Sequence, residues 1–145
     1  MLASTVIAAP LVLAACGGSS DSTASSAPAE DEVLAAALKA EQEIIALYDA
    51  VIANPDTVGA AVELLRAIRD QHAEHAAAFG GDAGEASAPA IDAGGALRAL
   101  IRAEKGVRAS HAAAAASAGS ADLVRLLTVV AASESMHAGS LKKAR

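Results

Sequence analysis

The stretch Leu123-Val-Arg-Leu-Leu127-Thr-Val-Val130-Ala-Ala-Ser-Glu134-Ser-Met-His137-Ala-Gly-Ser-Leu141 carries a stripe at helical spacing with two polar residues in it. Leu123, Leu127, Val130 and Leu141 set the three-to-four period of a helix face turned towards a core. Glu134 and His137 stand where that period calls for apolar side chains. A charged group in a core is costly unless it is paired or bound to metal. The pair therefore implies partners elsewhere in the chain.

Three more segments repeat the pattern. Residues 96–118 carry the stripe Leu97, Ile101, Glu104, Val107, His111, Ala115, and Gly119-Ser120 separates them from a fourth helix over 121–143. Residues 31–53 carry Leu34, Leu38, Glu41, Ile45, Tyr48, Ile52 and stop at Asn54-Pro55. Asp56-Thr57 supplies capping residues for a helix through Phe79, with the stripe Ala61, Leu65, Ile68, His72, His75, Phe79. Acidic residues open the first helix and basic ones close the last, as the helix dipole prefers. No stretch shows the β-branched alternation of a strand, so the expected fold is all-α. The 145 residues allow one domain, and 54% hydrophobic with 1% aromatic content means a core of Ala, Leu, Val and Ile. A net charge of −6 without a basic patch argues against nucleic acid or an anionic membrane surface as the partner.

Residues 80–95 hold five glycines and no apolar period, a connection longer than compact bundles usually need. At up to about 3.3 Å per residue it can travel the roughly 30 Å of a twenty-residue helix, so helix 3 can start at the same end as helix 2 and run parallel to it. The two halves also match at an offset of 62 to 63 residues. Leu38-Lys-Ala-Glu41 falls on Ile101-Arg-Ala-Glu104, Ile68 on Val130, His72 on Glu134 and His75 on His137. Two helical hairpins related by a pseudo-two-fold axis would bring Glu41, His72, His75, Glu104, Glu134 and His137 to one level of one core. The match carries a second expectation, that helices 1 and 3 run parallel with helices 2 and 4 opposed to them.

Over residues 31–143 these motifs resemble the ferritin-like superfamily, and more narrowly the ferritin-like domains of exported bacterial lipoproteins. The resemblance implies a four-helix bundle of two hairpins joined by a long crossover. It also implies a two-metal centre with one Glu from each of helices 1 and 3 and Glu-x-x-His from each of helices 2 and 4. Glu41 and Glu104 match the single carboxylates, Glu134 and His137 match one Glu-x-x-His in full, and His75 matches the histidine of the other. His72 departs from the pattern, standing where a bridging Glu is expected. The six residues form a mixed O/N set suited to Fe, Mn or Zn. The chemistry implied is redox reaction of iron or manganese with oxygen or peroxide, with carboxylates bridging and histidines terminal.

Residues 2–15 are apolar or small, too few to span a bilayer, and end in Leu13-Ala14-Ala15-Cys16 before an abrupt switch to Gly, Ser, Asp and Thr. They read as a signal peptide, although no Lys or Arg precedes the run. The four residues resemble the lipobox of bacterial lipoproteins, which implies an acylated Cys16 as the mature N-terminus and an extracytoplasmic domain held on the bacterial membrane. Cys16 is the sole cysteine, so no intrachain disulfide is possible. Residues 16–30 read as a flexible Ser-, Ala- and Gly-rich tether, and 31–145 as the domain.

Tyr48 and His111, two turns beyond Glu41 and Glu104, read as core fillers or partners of the ligands. Glu74 reads as a solvated surface charge and Met136 as a flank-packing residue. A reading without metal stands beside all this: three carboxylates neutralising three imidazolium ions as a buried network, in a bundle that serves as an envelope interaction module. No motif for another cofactor, a protein partner or an organic substrate is present.

Overall fold

The computed structural model describes residues 29–55, 58–84, 86–88 and 93–145. Residues 1–28, which hold the expected signal peptide, Cys16 and most of the tether, lie outside the described residues, as do Asp56 and Thr57. Four helices form, α1 Glu30–Ile52, α2 Val62–Ala78, α3 Ala96–Ser117 and α4 Ala121–Ala144, with no strand among the described residues. The fold is all-α, as the periodicity requires.

Local chemistry sets the helix ends. Glu30, Asp31 and Glu32 fill the first turn of α1, and Lys142 and Lys143 the last turn of α4. The Ser120 hydroxyl accepts from the Leu123 amide at 3.3 Å and caps α4. Gly80, at φ 89°, ends α2 in a left-handed turn in which the Gly80 and Gly81 amides donate to the Ala77 and Ala76 carbonyls. The start of α2 is later than the sequence suggests. Gly59 at φ 53° opens a 3-10 turn over Gly59–Ala61, and the α-helix begins only after it.

Two apolar layers show how the helices run. One joins Ile44, Leu47, Tyr48 and Val51 of α1 to Leu65 and Ile68 of α2, Ala96, Leu100 and Ile101 of α3, and Leu141 of α4. The other joins Val33 and Ala37 of α1 to Phe79, just past α2, and Leu123, Leu127 and Val130 of α4, with Ala114 and Ala115 of α3 packed against it. The end of α1 thus lies with the starts of α2 and α3 and the end of α4. So α2 and α3 run parallel, as the crossover length allows, while α1 runs antiparallel to α3 and parallel to α4. The expectation that helices 1 and 3 are parallel is overturned. A two-fold axis across the bundle reverses the helices it exchanges, and that is the relation between α1 and α3 here. Glu41 and Glu104 still meet, because each lies near the middle of its helix.

Between the two apolar layers lies a polar one. Glu41, His72, Glu104, His111, Glu134 and His137 are all buried there. The α4 stripe is buried at every expected position, and in α1 the buried face is Val33, Ala37, Glu41, Ile44, Ile45, Leu47, Tyr48 and Val51, with Leu34, Leu38 and Ile52 half-buried at its edges. Met136 is corrected from the sequence reading: it stands 67% exposed on the outer side of α4, one residue from His137 but turned about 100° away from it.

A candidate metal centre

Helix periodicity turns the polar residues inward, and the antiparallel exchange of α1 and α3 brings them to one level. His72 lies at the middle. Its Nδ1 is 2.7 Å from Glu41 Oε2 and its Nε2 is 3.0 Å from Glu104 Oε1. His111 Nδ1 is 2.8 Å from Glu134 Oε1 and 3.6 Å from Glu41 Oε1. His75, with 15% of its side chain exposed, sits at the edge with Nδ1 3.7 Å from Glu41 Oε2. His137 Nδ1 is 3.4 Å from Glu104 Oε2. Potential ligand atoms of Glu41, His72, His75 and Glu134 lie within 4.8 Å of one another, and those of His72, Glu104 and His137 form a second such group. The structure therefore brings together all six residues expected from the sequence, in two groups that share His72. These buried groups could hold a metal ion.

Partners outside the ligand set orient it. The Tyr48 hydroxyl donates to Glu104 Oε1, and His111 holds Glu134, so both act as partners of the carboxylates. The repeat is visible in these contacts. Tyr48 reaches from α1 to the Glu of α3, and His111, its counterpart in the other half, reaches from α3 towards the Glu of α1. Gln71 is the functional residue that sequence reasoning missed. Its Oε1 lies 2.7 Å from His137 Nε2, and Ser133 Oγ lies 3.2 Å from the same nitrogen. An amide oxygen only accepts, so Gln71 suits the tautomer of His137 that is protonated on Nε2, in which Nδ1 is free to act as a ligand on the side of Glu104. A signal existed: Gln71 precedes His72 as Ser133 precedes Glu134. Glu74 is exposed, in line with its reading as a surface charge.

Electrostatics follow the geometry. Burial works to lower the His72 pKa, but the Glu104 and Glu41 carboxylates outweigh it and raise the ring to about 9. Burial would likewise raise Glu41, yet the imidazoles of His72 and His75 hold it down to about 2. Glu104 is also lowered, by His137, His72 and Tyr48 against its burial. Burial works against the charged form of His111, whose pKa Glu134 nevertheless raises. Glu134 behaves otherwise. Burial pushes its carboxyl up, the neighbouring Glu41 charge adds to that, and His111 does not compensate.

The hydrogen-bond inventory tests whether these residues fit a metal. Among the described residues, the buried side-chain atoms with no hydrogen-bond partner are Glu41 Oε1, His75 Nδ1, Glu104 Oε2, His111 Nε2, Glu134 Oε2 and His137 Nδ1. Every one belongs to this cluster, and five of them belong to the expected ligands. An unsatisfied buried acceptor costs about 1–3 kcal/mol, more if charged. Carboxylate oxygens and imidazole nitrogens gathered at one level are the ligand types of a transition-metal site. No family model, curated protein or solved structure matches the chain.

Proposed function

We propose that this chain is a ferritin-like bundle whose core binds one or two transition-metal ions, iron, manganese or zinc, through Glu41, His72, His75, Glu104, Glu134 and His137. The observation that carries this reading is the convergence of buried carboxylate oxygens and ring nitrogens that lack a hydrogen-bond partner. The helix order, with α2 and α3 parallel across a long connection, supports the ferritin-like assignment. Glu41, His75 and Glu134 would hold one ion and Glu104 and His137 the other, with His72 between them. Bound iron or manganese would supply redox chemistry with oxygen or peroxide. The chain's own part is to exclude water with the two apolar layers, to fix Glu104 through Tyr48 and Glu134 through His111, and to fix the His137 tautomer through Gln71.

Added Fe(II), Mn(II) or Zn(II) should raise the melting temperature of the purified protein, and a chelator should reverse the rise. A ligand at about a hundred times its dissociation constant adds about 2.7 kcal/mol, which for a domain of this size is several degrees. Glu134→Ala or His137→Ala should diminish the response, and Glu74→Ala should leave it intact. An undiminished rise in both Glu134→Ala and His137→Ala would place the metal elsewhere.

A metal-free reading has one observation in its favour. His72 already meets a carboxylate at each nitrogen, an ion-pair network that is complete at that residue. That reading forecasts a melting temperature indifferent to metals and a structural role for the bundle at the cell envelope.

The reading of Cys16 as a lipid anchor on the extracytoplasmic face of a bacterial membrane rests on Leu13-Ala14-Ala15-Cys16 and the polar stretch after it. No helix among the described residues is long and apolar enough to cross a membrane. Cys16→Ser should move the protein from the membrane fraction to the soluble one, since acyl chains would supply the affinity. If the variant still sediments with membranes, the anchor is not Cys16.

A further inference from the structure

We infer that His72 joins the two metal positions through its two ring nitrogens, making the centre a histidine-bridged pair; this rests on the metal-binding reading above. The two ligand groups share this one residue. Its nitrogens face opposite ways, Nδ1 towards Glu41 at 2.7 Å and Nε2 towards Glu104 at 3.0 Å. Each neighbour belongs to a different group, and the ring is fully buried between them. A terminal histidine ligand offers one nitrogen and keeps a proton on the other, which an outer acceptor holds. His137 has such an acceptor in Gln71. His72 has none: both its neighbours are themselves expected ligands.

Charge points the same way. Two divalent cations in a dry core need four negative charges for balance, and the four carboxylates of a pair of Glu-x-x-His helices with two single Glu residues provide them. Here Glu41, Glu104 and Glu134 provide three. An imidazolate at His72 provides the fourth, and it occupies the position of the missing bridging Glu. Coordination at both nitrogens displaces both N–H protons of His72 to solvent, as ligand deprotonation on metal binding requires. No oxidant or reductant is involved.

The test is a Zn(II) titration of the purified protein, with the ions counted by elemental analysis and the ring nitrogens of 15N-labelled histidine followed by NMR. At saturation two Zn(II) per chain are expected, with His72 lacking any N–H and both of its nitrogens shifted as metal-bound, while His137 keeps its Nε2 proton. His72→Ala should weaken the second Zn(II) by about tenfold or more, a loss in the range that even outer partners of metal sites produce. His72→Glu should still take two ions, since it restores a carboxylate bridge and a charged, buried partner. Two ions bound with an N–H retained on His72 would overturn the bridge and leave the metal reading standing. One ion at saturation would do the same. No Zn(II) bound at all would overturn the metal reading itself. Because the NMR readout is taken on the native chain, it holds even if His72→Ala does not fold.

Discussion

At the scale of the residue, position in the polar layer decides what each ionisable group contributes. His72 without metal is an imidazolium clasped by Glu104 and Glu41, with a folded pKa of about 9 against 6.5 when free. A group whose folded pKa is raised contributes stability that is fully present below its unfolded value and is lost as pH rises through the folded one. Denaturant melts of the metal-free protein should therefore show stability falling between pH 6.5 and 9. At 1.36 kcal/mol per unit the loss is on the order of 3 kcal/mol. A flat profile across that window would mean that the His72 pairs are not made. Glu41, held down to about 2 from 4.5, acts in the opposite direction: its contribution is present above 4.5 and is lost as acid is added. Tyr48 offers a cleaner deletion. Tyr48→Phe keeps the ring in the apolar layer and removes a hydrogen bond to a charged acceptor, which should cost about 1.5–3 kcal/mol in the metal-free protein. The exposed Glu74→Ala, measured beside it, should stay within about 0.5 kcal/mol of the parent.

At the scale of the element, the sequence was most legible where one stripe ran unbroken. The α4 stripe from Leu123 to Leu141 is buried at each expected position, although Val124, Val129 and Met136 stand beside it and face outward. The α1 stripe was legible less fully. Apolar residues on that helix are dense enough to draw two overlapping stripes, and the one through Val33, Ala37, Ile44 and Val51 faces the core. The late start of α2 was hidden because Asp56-Thr57 reads as a cap, while the left-handed Gly59 that delays the helix carries no mark in sequence except that it is glycine. Met136 shows a limit of a different kind: proximity to His137 in the chain says nothing about which face a helical residue takes. The turn that ends α2 allows a direct check. Gly80→Ala would place a β-carbon in a left-handed conformation with no atom within 4 Å to clash with, so the cost is backbone strain alone. That cost should be about 1–2 kcal/mol by equilibrium unfolding. An unchanged stability would show that the turn relaxes.

At the scale of the whole molecule, the internal repeat is what turns four amphipathic helices into a site. Each half supplies a Glu on its first helix and a polar pair three residues apart on its second, and the reversal that packs the halves places all of them between the same two apolar layers. The candidate ligands were readable for this reason, since each polar residue interrupts an apolar stripe at a matching position. The running directions were not readable from the match alone, because an offset in sequence is silent on whether the repeat is exchanged with or without reversal. Gln71 was missed because it lies on the exposed side of α2 and acts only through its reach to His137. The most direct measurement is the metal content of the purified protein, taken by elemental analysis after incubation with Fe(II), Mn(II) or Zn(II) and dialysis. One or two ions should be retained per chain of the parent and of Glu74→Ala, and fewer by Glu134→Ala or His137→Ala. A parent chain that retains no metal, with a melting temperature that none of the three ions moves, would contradict the metal centre and leave the buried ion-pair network as the role of these residues.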